Sequence, residues 1–304
     1  MNYELSIITV NYNGLEDTCS LIDSIPFDEL SLEVIVVDNA SKQDEASVIA
    51  KRYPQVNVIR NHQNLGFAGG NNLGIQAAQG KYLLFINNDT ELRGSESQRK
   101  QALDVLMKRF DTNPQIAMVC PKLRFTWADA PIQFTGYTRL SKFTVRNRAI
   151  GFGESDHGQY DTAHPTPYAH GAAMMVKRDA IDKVGMMPED YFLYYEELDW
   201  SMMFTRAGYT IWYEPQSTVY HKESQTTGQN SPLRTYYITR NRLLLVKRNW
   251  KGLTKYVAYV YLFFLVGLRD IIKFSFKNQP KLLCAVKSGL NDFLHHRFGQ
   301  QQIS

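Results

Sequence analysis

The stretch KYLLFINNDTEL, residues 81–92, decides how this chain folds. Its residues 82–86 are an unbroken apolar run, the signature of a strand buried on both faces of a parallel sheet. The run stops at Asn87, Asn88 and Asp89, three polar side chains in a row. A core strand ending in such a cluster marks the edge of the sheet where open parallel sheets bind their ligands, outside the carboxyl ends of the strands.

Working outward from that stretch, short apolar runs alternate with amphipathic ones. LSIITV (5–10), LEVIVV (32–37) and VNVI (56–59) read as strands, and the segments near 15–25, 43–52 and 68–79 as helices. That alternation predicts βαβ units and an α/β fold. Two more strands end in polar signatures, TVNYNG (9–14) and VVDNAS (36–41). Each taken singly reads as a turn; their agreement in position predicts a site. Further on, a helix is expected over 95–110, a β-rich irregular cover over 115–170, a strand at 171–176 and a short helix to Gly185. EELDWSMMFTRAG is a helix stopped by Gly208, and helix continues beyond Ser231.

The chain has 304 residues, 44% hydrophobic and 21% charged, which is ample for a core. The start MNYELSIITV lacks a basic n-region and reads directly as a strand, so no secretory signal is expected. Cys19, Cys120 and Cys284 are odd in number and form no CxxC pair, which argues against a disulfide framework or zinc site and suits a reducing cytosol. From Arg240 onward twelve Lys/Arg face only Asp270 and Asp292, a balance of +10 in a chain whose net charge is +4. A basic tail on an acidic body predicts an anionic partner for the tail; no nucleic-acid motif accompanies it.

SIITVNYNG, VIVVDNAS, NLGFAGGNNLGI, YLLFINNDTEL, GAAMMVKRD, YFLYYEELDW and the later His221 occur in the order seen in family-2 glycosyltransferases with a GT-A fold. Over residues 4–250 the chain most resembles their bacterial rhamnosyltransferase-like branch. The resemblance implies a mostly parallel central sheet flanked by helices, with a catalytic domain over 1–230 (a nucleotide-binding half at 1–92, an acceptor half at 93–230) and a helical, basic region at 231–304. It also implies a dTDP- or UDP-linked sugar donor, a divalent metal (Mn2+ or Mg2+), and transfer with inversion to a saccharide or polyprenyl-diphosphate-linked saccharide. Such an enzyme would be cytoplasmic and peripheral on the inner face of the membrane, monomeric or as a homodimer.

By this resemblance Asp89 is the metal ligand of a DxD-type motif whose other carboxylates are here replaced by Asn, and Asn88 touches ribose or a metal-bound water. His221 is a second metal ligand, and a hard cation held this way neutralises a departing diphosphate. Asp38 accepts the imide N–H of uracil or thymine, or caps the following helix, in a base pocket shared with Thr9, Asn11, Asn13 and Asn39. Gly66, Phe67 and Asn72 lie near ribose and diphosphate, unless the glycines at 66, 69, 70 and 74 serve a tight strand-to-helix turn. Glu197 is the catalytic base. Glu196 and Asp199 orient or bind acceptor, Trp200 is core or a sugar-stacking floor, and His170 lines the acceptor site.

Two segments of the basic tail stand outside the motifs. Arg240-Asn241-Arg242 offers forks for a diphosphate, or is a solvated basic face. The run 256–268 is apolar on every side and too short to span a bilayer. It is an interfacial membrane helix or a buried core or dimer helix. Two further function classes are open. A sugar-nucleotide pyrophosphorylase would need a glycine-rich loop and Lys after the first strand, which VNYNGLED lacks. A non-catalytic saccharide- or lipid-binding protein would not bring Glu197 and Asp89 to one cavity.

Overall fold

A computed structural model describes residues 3–223 and 231–301 of the chain. The expected domain boundary at 230 falls in 224–230, outside the described residues. In chain order the strands are β1 (Leu5–Asn11), β2 (Leu32–Asn39), β3 (Asn57–Asn61), β4 (Tyr82–Ile86), β5 (Thr90–Glu91), β6 (Ile116–Phe125), β7 (Ile132–Phe134), β8 (His164–Pro165), β9 (Ala173–Lys177) and β10 (Thr210–His221). The helices are α1 (Leu15–Asp23), α2 (Glu45–Arg52), α3 (Gly66–Ala77), α4 (Glu96–Arg109), α5 (Arg178–Val184), α6 (Glu196–Arg206), α7 (Pro232–Asn249), α8 (Gly252–Val260), α9 (Leu268–Phe276) and α10 (Pro280–Leu294).

The sheet runs β3-β2-β1-β4-β9-β6-β10-β5. Its first half is parallel, as the βαβ pattern requires, and β6 pairs parallel with β10, whereas β9 is antiparallel to both its neighbours. This is the GT-A architecture with a helical C-terminal region. One expectation is corrected: residues 116–125 are not cover but a long strand inside the sheet. IAMVCPKLRF is buried at nine of its ten positions, because β9 and β10 enclose it on both edges. Only the part after it, with two short strands, is irregular.

Helix ends follow local rules. Ser95 and Gln98 form a reciprocal capping box on α4. Ser231 caps α7, with Pro232 in its first turn. Gly208 ends α6 at φ +89°. The helices and the sheet bury a first core around Ile7, Leu84, Met118 and Trp200. A second core joins Tyr168, Tyr191 and Leu198 to Leu243–Val246 of α7, Leu262 and Phe293, so the C-terminal helices pack on the chain that carries α6.

Gly70 and Gly74 bring α3 close against β1, and Gly69 clears the Leu65 side chain. A Cβ on Gly74 would stand 2.3 Å from the Ile8 side chain, and one on Gly70 would stand 2.9 Å from Val10.

Candidate active site

Parallel pairing places Asn11 beside Asp38 at the carboxyl ends of β1 and β2. The Asn11 amide donates to Asp38 Oδ1 at 2.8 Å and to Glu45 Oε2 at 2.8 Å, and its oxygen accepts from the Thr18 hydroxyl at 2.8 Å. Ser41 donates to the same Asp38 oxygen at 2.5 Å. Asn11 is thus a brace that sets the Asp38 carboxylate. Asp38 does not cap α2, whose cap is Asp44. Asn13, at φ +53°, accepts from Lys42 N. Thr9 is fully buried with no hydrogen-bond partner for its hydroxyl, so its side chain is core and not pocket wall.

Asn39 holds the glycine loop. Its amide donates to Asn64 Oδ1 and Gly66 O at 3.0 Å and accepts from Leu65 N at 3.0 Å. Gly66 has φ +72°, and a Cβ there would fall 2.1 Å from Phe192 O. No side chain fits, because Phe67 N donates to that same carbonyl at 2.8 Å. Asn72 faces elsewhere: it donates to Met187 O and Glu189 Oε1 and accepts from Met187 N. It staples α3 to the loop before α6, which corrects its expected place beside ribose.

Beyond β4 the chain turns through Asn87–Asp89 into β5, which pairs antiparallel with the end of β10 and sets His221 opposite Thr90. His221 Nε2 therefore lies 3.1 Å from Asp89 Oδ1, both side chains buried. His221 Nδ1 lies 2.9 Å from Gln133 Oε1, and the Asn87 amide reaches Nε2 at 3.5 Å. Gln133 Oε1 anchors the ring at Nδ1, and Nε2 is the ring nitrogen turned to the Asp89 carboxylate. An imidazole nitrogen and a carboxylate oxygen are both cation-ligating atoms. Ligands about 2.1 Å from an octahedral metal stand about 3.0 Å apart when adjacent, close to the observed spacing. Asn88 donates to Thr18 Oγ1 at 3.0 Å and lies against Gly14. Among the described residues no three His, Cys, Asp or Glu side chains converge, so a metal here would take its other ligands from diphosphate and water.

Glu197 lies against Gly171. A Cβ on Gly171 would lie 3.8 Å from Glu197 Cγ and 3.7 Å from Phe67 Cζ, which puts the glycine loop and α6 on one glycine. The same short segment reaches the metal-ligand pair: Ala172 O accepts from Asn87 N at 2.9 Å. His170, stacked on Tyr137, has its imidazole pushed down to about 3 by burial and by the neighbouring His221. Segment 170–172 is thus bordered by Glu197 and Phe67 on one part and by the strand carrying Asn87–Asp89 on the other. Surface clefts at Lys81, Asp111 and Asp179 and at Asn64, Phe192 and His296 contain neither Asp89 nor Glu197.

Burial raises the Glu197 carboxyl to about 7. It raises Glu196 to about 8, with the Glu197 charge adding to the effect. Glu196 is buried with Oε2 unpaired in the protein. Two of the expected acceptor contacts are structural. Trp200 is fully buried, donates to Gly185 O and meets Phe85 edge-on, so it is core. Asp199 is fully buried and accepts from Tyr191 OH, Asn249 Nδ2 and Arg248 Nε. It anchors α6 to α7.

The sequence reading missed what holds Glu197 in place. Phe192, Tyr194 and Tyr195 adopt φ of 66°, 70° and 78°, a left-handed conformation that costs a side chain roughly 1–3 kcal/mol each. Asn241 donates to the carbonyls of Tyr191 (2.9 Å), Leu193 (2.6 Å) and Tyr194 (3.1 Å). Arg240 donates to Tyr191 O at 2.9 Å and Gly299 O at 2.7 Å and lies over the Tyr236 and Tyr237 rings. Arg242 donates to Val145 O and Thr144 O. All three are buried, so Arg240-Asn241-Arg242 is neither a diphosphate fork nor a solvated face.

Residues 6–185, more than half of the chain, match the family described as Glycosyl transferase family 2. The chain belongs to that family. Over 98% of its length, and 94% of the relative's, this family-2 glycosyltransferase is 22% identical to the low-salt glycan biosynthesis hexosyltransferase Agl10 of Haloferax volcanii. It is 26% identical to the dTDP-rhamnosyl transferase RfbF of Shigella flexneri, over 82% of both chains. It is 22% identical to the N-acetylglucosaminyl-diphospho-decaprenol L-rhamnosyltransferase of Mycobacterium tuberculosis, over 66% of this chain and 70% of the relative. Among solved structures, GalNAc-T7 with UDP, GalNAc and Mn2+ superposes with a TM-score of 0.61 at 14% identity, covering 97% of this glycosyltransferase and 58% of that chain. The mannosyltransferase PcManGT of Pyrobaculum calidifontis, with GDP-Man and Mn2+, gives 0.58 at 13% identity, covering 98% and 88%. These likenesses show the fold.

Proposed function

We propose that this glycosyltransferase moves rhamnose from dTDP-rhamnose, or a hexose from a UDP-sugar, to a hydroxyl of a saccharide or polyprenyl-diphosphate-linked saccharide in cell-surface polysaccharide assembly, inverting the anomeric centre. The observation that carries the reading is that segment 170–172 is shared by Glu197 and by the strand end bearing Asp89. A rhamnosyl donor and a lipid diphosphate acceptor are favoured by the names of two relatives.

In this reading Asp38, braced by Asn11 and Ser41, accepts the imide N–H of uracil or thymine. Asn13, Asn39, Gly66 and Phe67 line the nucleotide, and Asn88 stands at the ribose. Asp89 and His221 would hold a divalent cation, which supplies positive charge to the departing diphosphate. Glu197 takes the proton of the acceptor hydroxyl as its oxygen bonds to the anomeric carbon, and the bond to the diphosphate oxygen breaks on the other face. His170 faces the acceptor in its neutral form. Burial keeps the Glu197 proton affinity high, and the Glu197 charge holds its buried neighbour Glu196 protonated to higher pH still.

The deciding experiment incubates the purified protein with a panel of nucleotide sugars and Mn2+, Mg2+ or chelator, and follows nucleotide release and product anomer. Release of dTDP or UDP with metal and acceptor, with inverted product, supports the proposal. Retained configuration, or transfer indifferent to chelator, overturns it.

A further inference from the structure

The helix α8, a π-helical turn over Tyr261–Gly267 and α9 form one continuous rod of 25 residues. Ala258 and Leu262 point inward and pack in the second core with Leu243 and Phe293. The outward side is also apolar. Tyr256, Val260, Phe264, Leu268, Ile272 and Phe276 are exposed, from 46% for Ile272 to 89% for Phe276. Their spacing is four residues throughout. On an α-helix such a row drifts about 40° per step; a π turn holds more residues per turn and turns the row back. The π segment sits at the middle of the row and keeps it on one side. Leu253 and Leu265 widen it.

Charge says what covers this row. Lys251, Arg269, Lys273, Lys277 and Lys281 are exposed, and the last four are spaced every four residues, one place after the apolar row. Asp270, the only acid in residues 250–291, is held by Arg269 at 2.7 Å. A second copy of the chain laid face to face would set these basic rims together, which self-repulsion disfavours. An anionic lipid surface meets both features, apolar side chains entering the acyl boundary and lysines meeting headgroups. Among the described residues no helix is long and apolar enough to cross a membrane.

We propose that the outward face of the 252–276 rod docks the protein on the surface of an anionic lipid bilayer, lying in the plane of the interface. The rod's inner face shares its core with Tyr195 and Tyr137, neighbours of Glu196 and His170, so docking would back directly onto the candidate site. The proposal does not require the transfer reading, and its test uses no donor or acceptor.

The full-length protein is sedimented with vesicles of phosphatidylglycerol and, separately, of phosphatidylcholine, at low and high salt. Binding to phosphatidylglycerol vesicles that weakens with salt is expected. The variant Phe264→Ser/Phe276→Ser, altering side chains already in solvent, should bind at least about tenfold more weakly with unchanged circular dichroism. Lys273→Glu/Lys277→Glu should abolish the preference for anionic lipid. Absence of binding, or equal binding by both variants, overturns the proposal. So does a dimer in light scattering that the serine variant dissociates while vesicle binding is absent, since a second copy then covers the row.

Discussion

His221 Nε2 stands 3.1 Å from Asp89 Oδ1, though 132 residues separate the two in sequence, because β5 pairs with the end of β10. Gln133 holds the far side of the imidazole and so sets Nε2 toward the carboxylate. We predict that Asp89→Ala removes metal-dependent donor binding and that Gln133→Leu weakens it about 10–100-fold while Asp89 and His221 remain. Titration calorimetry with dTDP or UDP, with and without Mn2+, measures both. Nucleotide affinity that ignores Mn2+ in the unaltered protein would sink the assignment.

Glu197→Gln should lower transfer by about 10²–10⁴-fold, the usual weight of a general base, and leave donor affinity nearly unchanged. Single-turnover kinetics beside the same calorimetry separates the two effects. Lost nucleotide affinity with transfer preserved would reverse the role.

The Glu197 carboxyl sits at about 7 because burial disfavours its charge. A base must be deprotonated, so transfer should rise with pH through that value and level off above it. Glu196, raised to about 8, is still protonated where Glu197 titrates, so Glu196→Gln should leave that rise in place. Stability carries the opposite sign. Both carboxyls bind protons more tightly folded than unfolded, so they cost stability as pH climbs from the ordinary carboxylate range toward 8. Glu196→Gln should therefore raise the melting temperature at pH 8 and leave it unmoved near pH 4. Scanning calorimetry at the two pH values checks the sign.

Asn241 is a positioning residue: its amide reaches three carbonyls of the strained 191–195 loop, that of Tyr191 together with Arg240. Asn241→Leu should cut kcat about tenfold or more while donor affinity holds, and should expose the loop to proteolysis. Protease resistance and kcat both unchanged would show that the loop holds its shape without it.

Trp200→Ala should cost about 3–5 kcal/mol of stability, as truncating a buried aromatic does, because the indole is enclosed by Phe85 and Phe204. A sugar platform would instead raise KM at constant stability, and denaturant unfolding distinguishes them.

Much of the architecture could be read from local pattern. Tyr82–Ile86 is apolar without break and is buried at all five positions. The polar ends of β1, β2 and β4 lie on one edge because parallel strands repeat their direction. Local pattern failed where the partner is distant. Asp199 looks like a first-turn helix acid, and only its contacts with Arg248 and Asn249 on α7 make it an anchor. Residues 116–125 look like cover, and only β9 and β10 on either edge make them a central strand. Periodicity is carried by the backbone's own repeat and is present in any window of the chain. Which polar group satisfies which buried carbonyl depends on segments that meet after folding, so residues such as Asn241 and Gln133 acquire their roles only in the assembled protein.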